Sequence, residues 1–463
     1  MSDGGVRSAW KRDQGGALSG GELGAETGHA EMPRSSPVWH KTAKAVMDLP
    51  ALSRDCIADV LVVGAGVAGL STALHLAEAG CTVTLLEGAE PGDGATGKSG
   101  GLIAPDFVGQ GPSDILRRYG QERGRGLIRL IGTSARDCFS LIQRHEMECG
   151  AVQSGFLCPA HNATVARLQR SKARDWRECG YDVAFLEKPD IDAALGSSYY
   201  CGGLRFAEGG ALNPLAFCRA LLISALRAGA TVYARSPVTG LHFDAGVWYA
   251  DTPDGSVQAR QVVLAANGGN AMLHPALRKT VLPLRVYEYA TEPVPEVLRS
   301  DILPGQAVFT DQQPYLFTGR FDAGGHFVSA FPDFLIKRSR QALVSEAERR
   351  MRRYFPRLAG SAIEYLWSGT AWINQSLLPE IYSLGEGAFA IQACNGRGLA
   401  VNASLGREMA TALAGAGPSS LSVPPRAPVP MRAHDLMSYI PGVMMASARM
   451  RSRLMAKLRG EWA

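Results

Sequence analysis

Ala58-Asp-Val-Leu-Val-Val-Gly-Ala-Gly-Val-Ala-Gly-Leu-Ser-Thr-Ala-Leu-His-Leu-Ala-Glu-Ala-Gly-Cys-Thr-Val-Thr-Leu-Leu-Glu87 is the stretch on which the fold turns. Ala58–Val63 is a short apolar run ended by glycine, the pattern of a buried parallel strand. A helix is expected next, with Leu70, Ala73, Leu74 and Ala77 on one face and Gly80 as its stop. Cys81–Leu86 reads as a second strand that ends on Glu87. Strand, glycine turn, helix, strand and acid make a βαβ unit of a dinucleotide-binding fold. Gly64 permits the tight turn, Gly66 lets the backbone approach a pyrophosphate, and Gly69 allows close packing of helix on strand. Val67 and Ala68 complete the turn at the helix start, where N–H groups point at the phosphates. Glu87 lies eighteen residues after Gly69, placed to accept from both hydroxyls of a ribose.

A second glycine-rich stretch follows at once, Gly92-Asp-Gly-Ala-Thr-Gly-Lys-Ser-Gly-Gly101. Its residues Gly94, Ala95, Thr96, Gly97, Lys98, Ser99, Gly100 and Gly101 suit a backbone running along an extended pyrophosphate and ribityl chain. A nicotinamide cofactor seldom needs such a segment, and the expected cofactor is therefore FAD. Taken alone, the same stretch also fits a surface loop.

The 463 residues are too many for one ordinary domain, which favours two interleaved domains or a large α/β domain with an inserted lobe. Residues 1–36 carry glycine and charge but no apolar run, so they are read as disordered and not as a secretory signal. The net charge is +5, and the seven Arg or Lys against two acids from Arg426 onward account for it. A neutral body argues against nucleic-acid binding. The nine cysteines include no CxxC pair, as in a cytoplasmic protein with reduced thiols, and no His or Cys spacing suggests a metal. Neither GxSxG nor a P-loop is present.

Further along, residues 111–199 look helical. A helix is expected across 211–230, then strands at Ala230–Tyr233 and Gln261–Ala266, and strand character at Leu284–Thr291 and His326–Phe331. Ala388–Gln392 reads as a strand, with a helix over Ser404–Leu413. The expected fold class is α/β, with a Rossmann-like FAD-binding domain. A mixed-sheet α+β substrate domain is interleaved with it. The segments are 1–36 disordered, 37–110, 200–275 and 365–415 for the FAD-binding domain, 111–199 and 276–364 for the substrate domain, and 416–463 as a basic helical extension. In that extension Val443, Ala446, Met450, Leu454 and Leu458 share a helical face between basic residues, a pattern that suits either packing on the body or peripheral contact with an anionic membrane.

Residues 59–101 resemble the FAD-binding start of the D-amino-acid oxidase superfamily, and within it the γ-glutamylputrescine oxidase-like branch. The resemblance extends over roughly 39 to 415 through Trp39, Ala211-Leu-Asn-Pro214, Ser236-Pro-Val238, the Val-Val-Leu-Ala-Ala-Asn-Gly strand end, Ala290-Thr-Glu-Pro293 and Cys394-Asn-Gly-Arg-Gly398. It implies an FAD-binding domain of the glutathione-reductase/D-amino-acid-oxidase type, in which Val238 contacts the adenine half of FAD through its backbone. Ala266, Asn267 and Gly268 would close over the cofactor near the pyrophosphate. Gly396, Arg397, Gly398 and Leu399 would offer N–H groups to the C2 carbonyl edge of the flavin, which favours negative charge on the reduced ring. The chain departs from the pattern at Asn374-Gln375-Ser376-Leu377-Leu378-Pro379, where relatives commonly place Asp before Leu-Pro. Residues 364–390 contain no cysteine, so non-covalent FAD is expected.

The implied activity is oxidation of the C–N bond of a small amine or amino acid, N-substituted or γ-glutamylated included. The product would be an imine, with molecular oxygen as acceptor and hydrogen peroxide as by-product. A dehydrogenase serving a quinone or carrier, and a non-catalytic flavin-binding scaffold, are the alternatives. Such chemistry needs the C–H held over the flavin more than it needs an acid/base pair. Candidate lining residues are Tyr287, Tyr289, Tyr315, Phe317 and Arg320, with Arg320 as a bidentate clamp for a carboxylate. Lys98 is a candidate cation near the flavin that would aid reaction with oxygen. Each has a competing reading, as core aromatic, surface arginine or solvated loop lysine.

Overall fold

The expected unit forms with the strand at Cys56–Val63, the helix at Val67–Glu78 and the second strand at Val83–Leu86. The computed structural model describes residues 32–45, 48–313, 315–332, 338–392 and 395–437, with 447 and 450. Around that unit an eight-stranded sheet builds in the order 380–385, 388–392, 255–264, 56–63, 83–86, 231–233. The hairpin partners 240–244 and 247–252 join through 255–264. Strands 388–392, 255–264, 56–63, 83–86 and 231–233 run parallel. Both faces of such a sheet are covered, which is why its strands are continuously apolar. Helices Val67–Glu78, Pro214–Arg227 and Gly398–Thr411 cover one face, through a core that includes Leu70, Leu74, Phe217, Leu221 and Leu405, and Trp248, Ala250, Leu277 and Tyr382 pack on the other. Their contact is close, since a Cβ at Gly406 would lie 2.6 Å from Ser71 Cβ and 2.7 Å from the Ala68 carbonyl oxygen.

The second eight-stranded sheet runs 363–373, 282–293, 326–332, 318–321, 308–310, 156–159, 203–206, 183–186. It is antiparallel except where 308–310 lies parallel to 156–159. The helix Arg340–Tyr354 packs on one face over an aromatic core of Phe309, Phe317, Phe327, Phe331 and Phe355.

Several expectations shift at their edges. Strand Gly203–Phe206 and strand Ile363–Ile373 pair in the second sheet, so sheet membership changes away from positions 200 and 365. Residues 111–199 hold the helices Pro112–Arg144, Ala163–Glu178 and Lys188–Leu195, but also strands Phe156–Pro159 and Val183–Leu186, each too short for its period to be read. The helix expected at Ser404 begins at Gly398. Arg34 is bonded on both sides to the Ile363–Ile373 strand (Arg34 N–H to Glu364 O 2.8 Å, Leu366 N–H to Arg34 O 2.8 Å), so the ordered chain starts before residue 37. Residues 1–31, Cys394 and the basic stripe of 442–459, apart from Ser447 and Met450, lie outside the described residues. Among the described residues no helix is long and apolar enough to cross a membrane, and no group of three or more His, Cys, Asp or Glu could hold a metal ion.

Candidate functional site

Gly64 has φ +107°, and a Cβ there would sit 2.9 Å from the Ala266 N atom, so the turn is pressed against the end of strand 255–264. A Cβ on Gly69 would collide with the Gly64 carbonyl oxygen, which is the close helix–strand packing that the motif requires. Gly66 caps the first helix in extended conformation and offers no side-chain acceptor to its first N–H groups. Val67 and Ala68 therefore open the helix with free donors at its positive end.

Glu87 is pinned by backbone donors. Its Oε2 accepts from Ala65 N–H at 2.7 Å and its Oε1 from Ala89 N–H at 3.0 Å, which fixes the carboxylate at the tip of its strand. Ser236-Pro237-Val238 passes beside it, with Ser236 N–H donating to Glu87 O at 2.7 Å. Val238 thereby lies two residues beyond a backbone bond to Glu87.

At the other end, Ala266, Asn267 and Gly268 close on Gly64. Asn270, fully buried, accepts from Ala266 N–H at 2.8 Å and donates to Leu264 O at 3.2 Å. Asn267 takes φ +52°, and its buried Oδ1 has no hydrogen-bond partner. Trp372 packs so closely on Gly268 that a Cβ there would overlap the indole.

The Gly94–Gly101 segment crosses from the first sheet to the second. Thr96 Oγ1 lies 3.4 Å from where a Cβ on Gly66 would be, so the two glycine-rich stretches meet at the pyrophosphate turn. Beyond Gly97, buried side chains hold four successive carbonyls. Trp367 Nε1 donates to Lys98 O at 3.1 Å, Trp39 Nε1 to Ser99 O at 2.9 Å, and Arg320 Nη1 to Gly100 O at 3.4 Å and Gly101 O at 3.0 Å. The path is thus anchored through its carbonyls, and the buried Ser99 Oγ is left without a partner.

The turn before the last long helix is locked differently. Asn395 accepts from Asn374 N–H at 2.9 Å and donates to Leu378 O at 2.9 Å, so the departure at Asn374–Pro379 is a built turn. Gly396 has φ +74°, and Arg397 caps the helix without a side-chain acceptor, leaving Gly398 and Leu399 with open N–H groups. The Arg397 guanidinium lies 3.2 Å from both Asp106 O and Asp106 Oδ2, in a pair whose carboxylate is buried.

The candidate catalytic residues fare less well. Arg320 is buried, and its Nη1 also donates to Leu212 O at 2.6 Å, so this nitrogen is committed to three carbonyls. Burial lowers its pKa to about 10, and Trp39 lies 5.3 Å beneath it. It braces Gly100–Gly101; it is not a free clamp for a carboxylate. Tyr289 is fully buried among Phe331 and the core under Arg340–Tyr354. Tyr315 packs against the Arg350 guanidinium at 4.0 Å and donates to Glu346 Oε1 at 3.3 Å in that same core. Phe317 joins them there, and Tyr287 packs on Phe331 at 6.1 Å. The cause is strand alternation, since side chains one apart face opposite sides of the sheet. Glu288, between the two tyrosines, faces Gly100. Lys98 remains exposed, with its Cβ 3.1 Å from where one on Gly369 would be.

Glu288, Trp367, Trp372 and Asn270 carry much of this geometry and were absent from the expected set. A carboxylate midway along the apolar strand Leu282–Pro293 is the one signal that would have found Glu288.

The FAD-dependent oxidoreductase family (DAO) matches residues 59–417. The chain belongs to that family. It is an FAD-dependent oxidoreductase. It is 27% identical over 388 residues to the gamma-glutamylputrescine oxidoreductase of Escherichia coli K12, covering 82% of this chain and 89% of the relative. It is 26% identical over 371 residues to the probable oxidoreductase OrdL of Haemophilus influenzae, covering 79% and 85%. The fold is similar to the crystal structure of glycine oxidase from Geobacillus kaustophilus, with TM-score 0.66 and 20% identity over 77% of this chain and 94% of that one. The residues present fit the cofactor. Two uncapped helix starts, a glycine turn that a Cβ would fill, a fixed Glu87 and the unpartnered Asn267 and Ser99 oxygens all lie on the FAD-binding segments.

Proposed function

We propose that the chain oxidises the C–N bond of a small amine or amino acid, N-substituted or γ-glutamylated ones included, to an imine that water hydrolyses. Molecular oxygen is the proposed acceptor, with hydrogen peroxide as by-product. The observation that carries the reading is the anchored segment Lys98–Gly101, which lies under the substrate-facing side of strand Leu282–Pro293 and ties the cofactor path to the second sheet. The relatives named for a γ-glutamylated amine and for glycine support the substrate class.

When bound, the flavin supplies a two-electron oxidant. The chain does the rest. Val67 and Ala68 N–H groups would hold the pyrophosphate, and Glu87 would accept from the ribose. The Gly398–Leu399 helix start would offer its positive end to the flavin, whose reduction adds negative charge. Trp39, Trp367 and Arg320 keep Lys98–Gly101 rigid, so that a substrate C–H is held at a fixed distance from the ring. Non-covalent FAD is proposed, since residues 364–390 offer no thiol for a tether.

An anaerobic panel of amines and amino acids, read by loss of flavin visible absorbance, tests the donor. Peroxide yield against reduction of an artificial acceptor tests oxygen. Bleaching without peroxide on re-aeration would replace the oxidase with a dehydrogenase. Failure of every amine to bleach a flavin that dithionite reduces would end the reading.

A further inference from the structure

Glu288 is a buried carboxyl with one oxygen that the fold leaves unpartnered. It sits in the middle of strand Leu282–Pro293, opposite Ala330 on one neighbour and Trp367 on the other. Cross-strand partners share a face, and Trp367 donates to Lys98 O, so this face looks at the glycine-rich segment. The side chain is 7% exposed, and its Oε2 lies 3.6 Å from where a Cβ on Gly100 would be. That oxygen has no hydrogen-bond partner. No ion pair among the described residues includes Glu288. The nearest cation, Arg320, acts on it only at a distance, because its Nη1 is committed to Gly100, Gly101 and Leu212 carbonyls. Burial pushes the carboxyl well above its usual range, with the Gly100 N–H opposing it.

A buried carboxyl without a paired cation avoids the cost of charge by keeping its proton, and a bound cation lifts that penalty by pairing with the ionised form. We infer that Glu288 is the seat for the amino group of the substrate, which accordingly belongs to the class of cationic primary or secondary amines. The ammonium donates to the free Oε2, while the other oxygen keeps the Gly100 N–H. One carboxylate thereby links the substrate nitrogen to the backbone that runs along the cofactor. The inference rests on the amine-oxidation reading and names the group that recognises the donor.

Glu288→Gln separates charge from shape, since the amide oxygen still accepts from Gly100 N–H. The probes are n-butylammonium and its neutral counterpart 1-butanol, titrated into FAD-loaded protein and followed by the flavin difference spectrum and by calorimetry. Wild type is expected to bind n-butylammonium and ignore 1-butanol. Glu288→Gln should weaken n-butylammonium binding about 30-fold or more, the scale for losing one partner of a buried charge pair. FAD affinity should stay within about threefold, and Glu288→Asp should recover part of the loss. For any amine that bleaches the flavin, the apparent Kd should rise far more than the limiting reduction rate falls.

Equal n-butylammonium affinity in wild type and Glu288→Gln overturns the inference, whatever the amine panel shows. Glu288-dependent binding with no amine able to bleach the flavin leaves the seat standing and removes the oxidase reading. If neither Glu288→Gln nor Glu288→Asp takes up FAD, Glu288 is a folding element and the inference fails.

Discussion

Helix starts in this chain are of two kinds. Asn162 accepts from Val165 N–H at 2.9 Å, Asn213 from Leu215 and Ala216 N–H at 3.1 and 3.0 Å, and Ser339 from Ala342 N–H at 3.2 Å. Those three caps satisfy donors that the fold itself would otherwise orphan. The helices at Val67 and Gly398 begin on Gly66 and Arg397 with no side-chain acceptor, as do those at Pro112 and Lys188. The first two share a positive-φ glycine just before the start, Gly64 and Gly396, where the backbone turns with no side chain in the way. Their first N–H groups are the ones we propose to be kept for phosphate and for the flavin edge.

The largest break in this comparison should come at Gly69. Gly69→Val drives a side chain into the Gly64 carbonyl, and we expect loss of about 3 kcal/mol or more, read as loss of soluble FAD-loaded protein. Gly80→Val is the control, since φ +84° strains it but a Cβ there meets nothing within 4 Å. It should keep full FAD loading, with a lower melting temperature only. Glu87→Ala comes next, with FAD affinity falling roughly 10- to 100-fold by equilibrium titration and the apoprotein melting temperature falling as well, since the buried Ala65 N–H loses its acceptor. Arg320→Met should leave FAD affinity nearly intact, yet shift the flavin visible spectrum and slow reduction by about tenfold, because Gly100–Gly101 loses its brace. Asn213→Ala should act on stability alone. It removes a cap worth about 1 kcal/mol and the 3.2 Å bond to Trp39 O, so apoprotein and holoprotein melting points fall together.

The uncapped turn at Gly64 was legible because glycine spacing, strand period and Glu87 each testify to it separately. The helix expected from 211 includes Asn213, whereas the helix starts at Pro214 with Asn213 as its cap. The chemistry of the second sheet was not legible. Strand Leu282–Pro293 is covered on both sides, by the glycine-rich segment on one and the aromatic core on the other, so its alternation does not tell which face meets the cofactor. Tyr289 and Tyr315 were thus drawn toward the site while their partners Phe317, Phe331 and Glu346 kept them in the core. Arg320 was misread because an arginine that donates to backbone carbonyls carries the same letter as one that clamps a substrate. The strands at 156–159 and 203–206 were lost for want of length, and the shift in sheet membership went with them.

The central claim is that the helix starts at Val67 and Gly398, each preceded by a positive-φ glycine, are the two ends of one cofactor path. A crystal structure of the FAD-loaded protein tests it most directly. The account predicts pyrophosphate oxygens within hydrogen-bond distance of the Val67 and Ala68 N–H groups, with the C2 carbonyl edge of the flavin ring at those of Gly398 and Leu399. A pyrophosphate bound elsewhere, or a ring whose edge faces solvent away from Gly398, would contradict it.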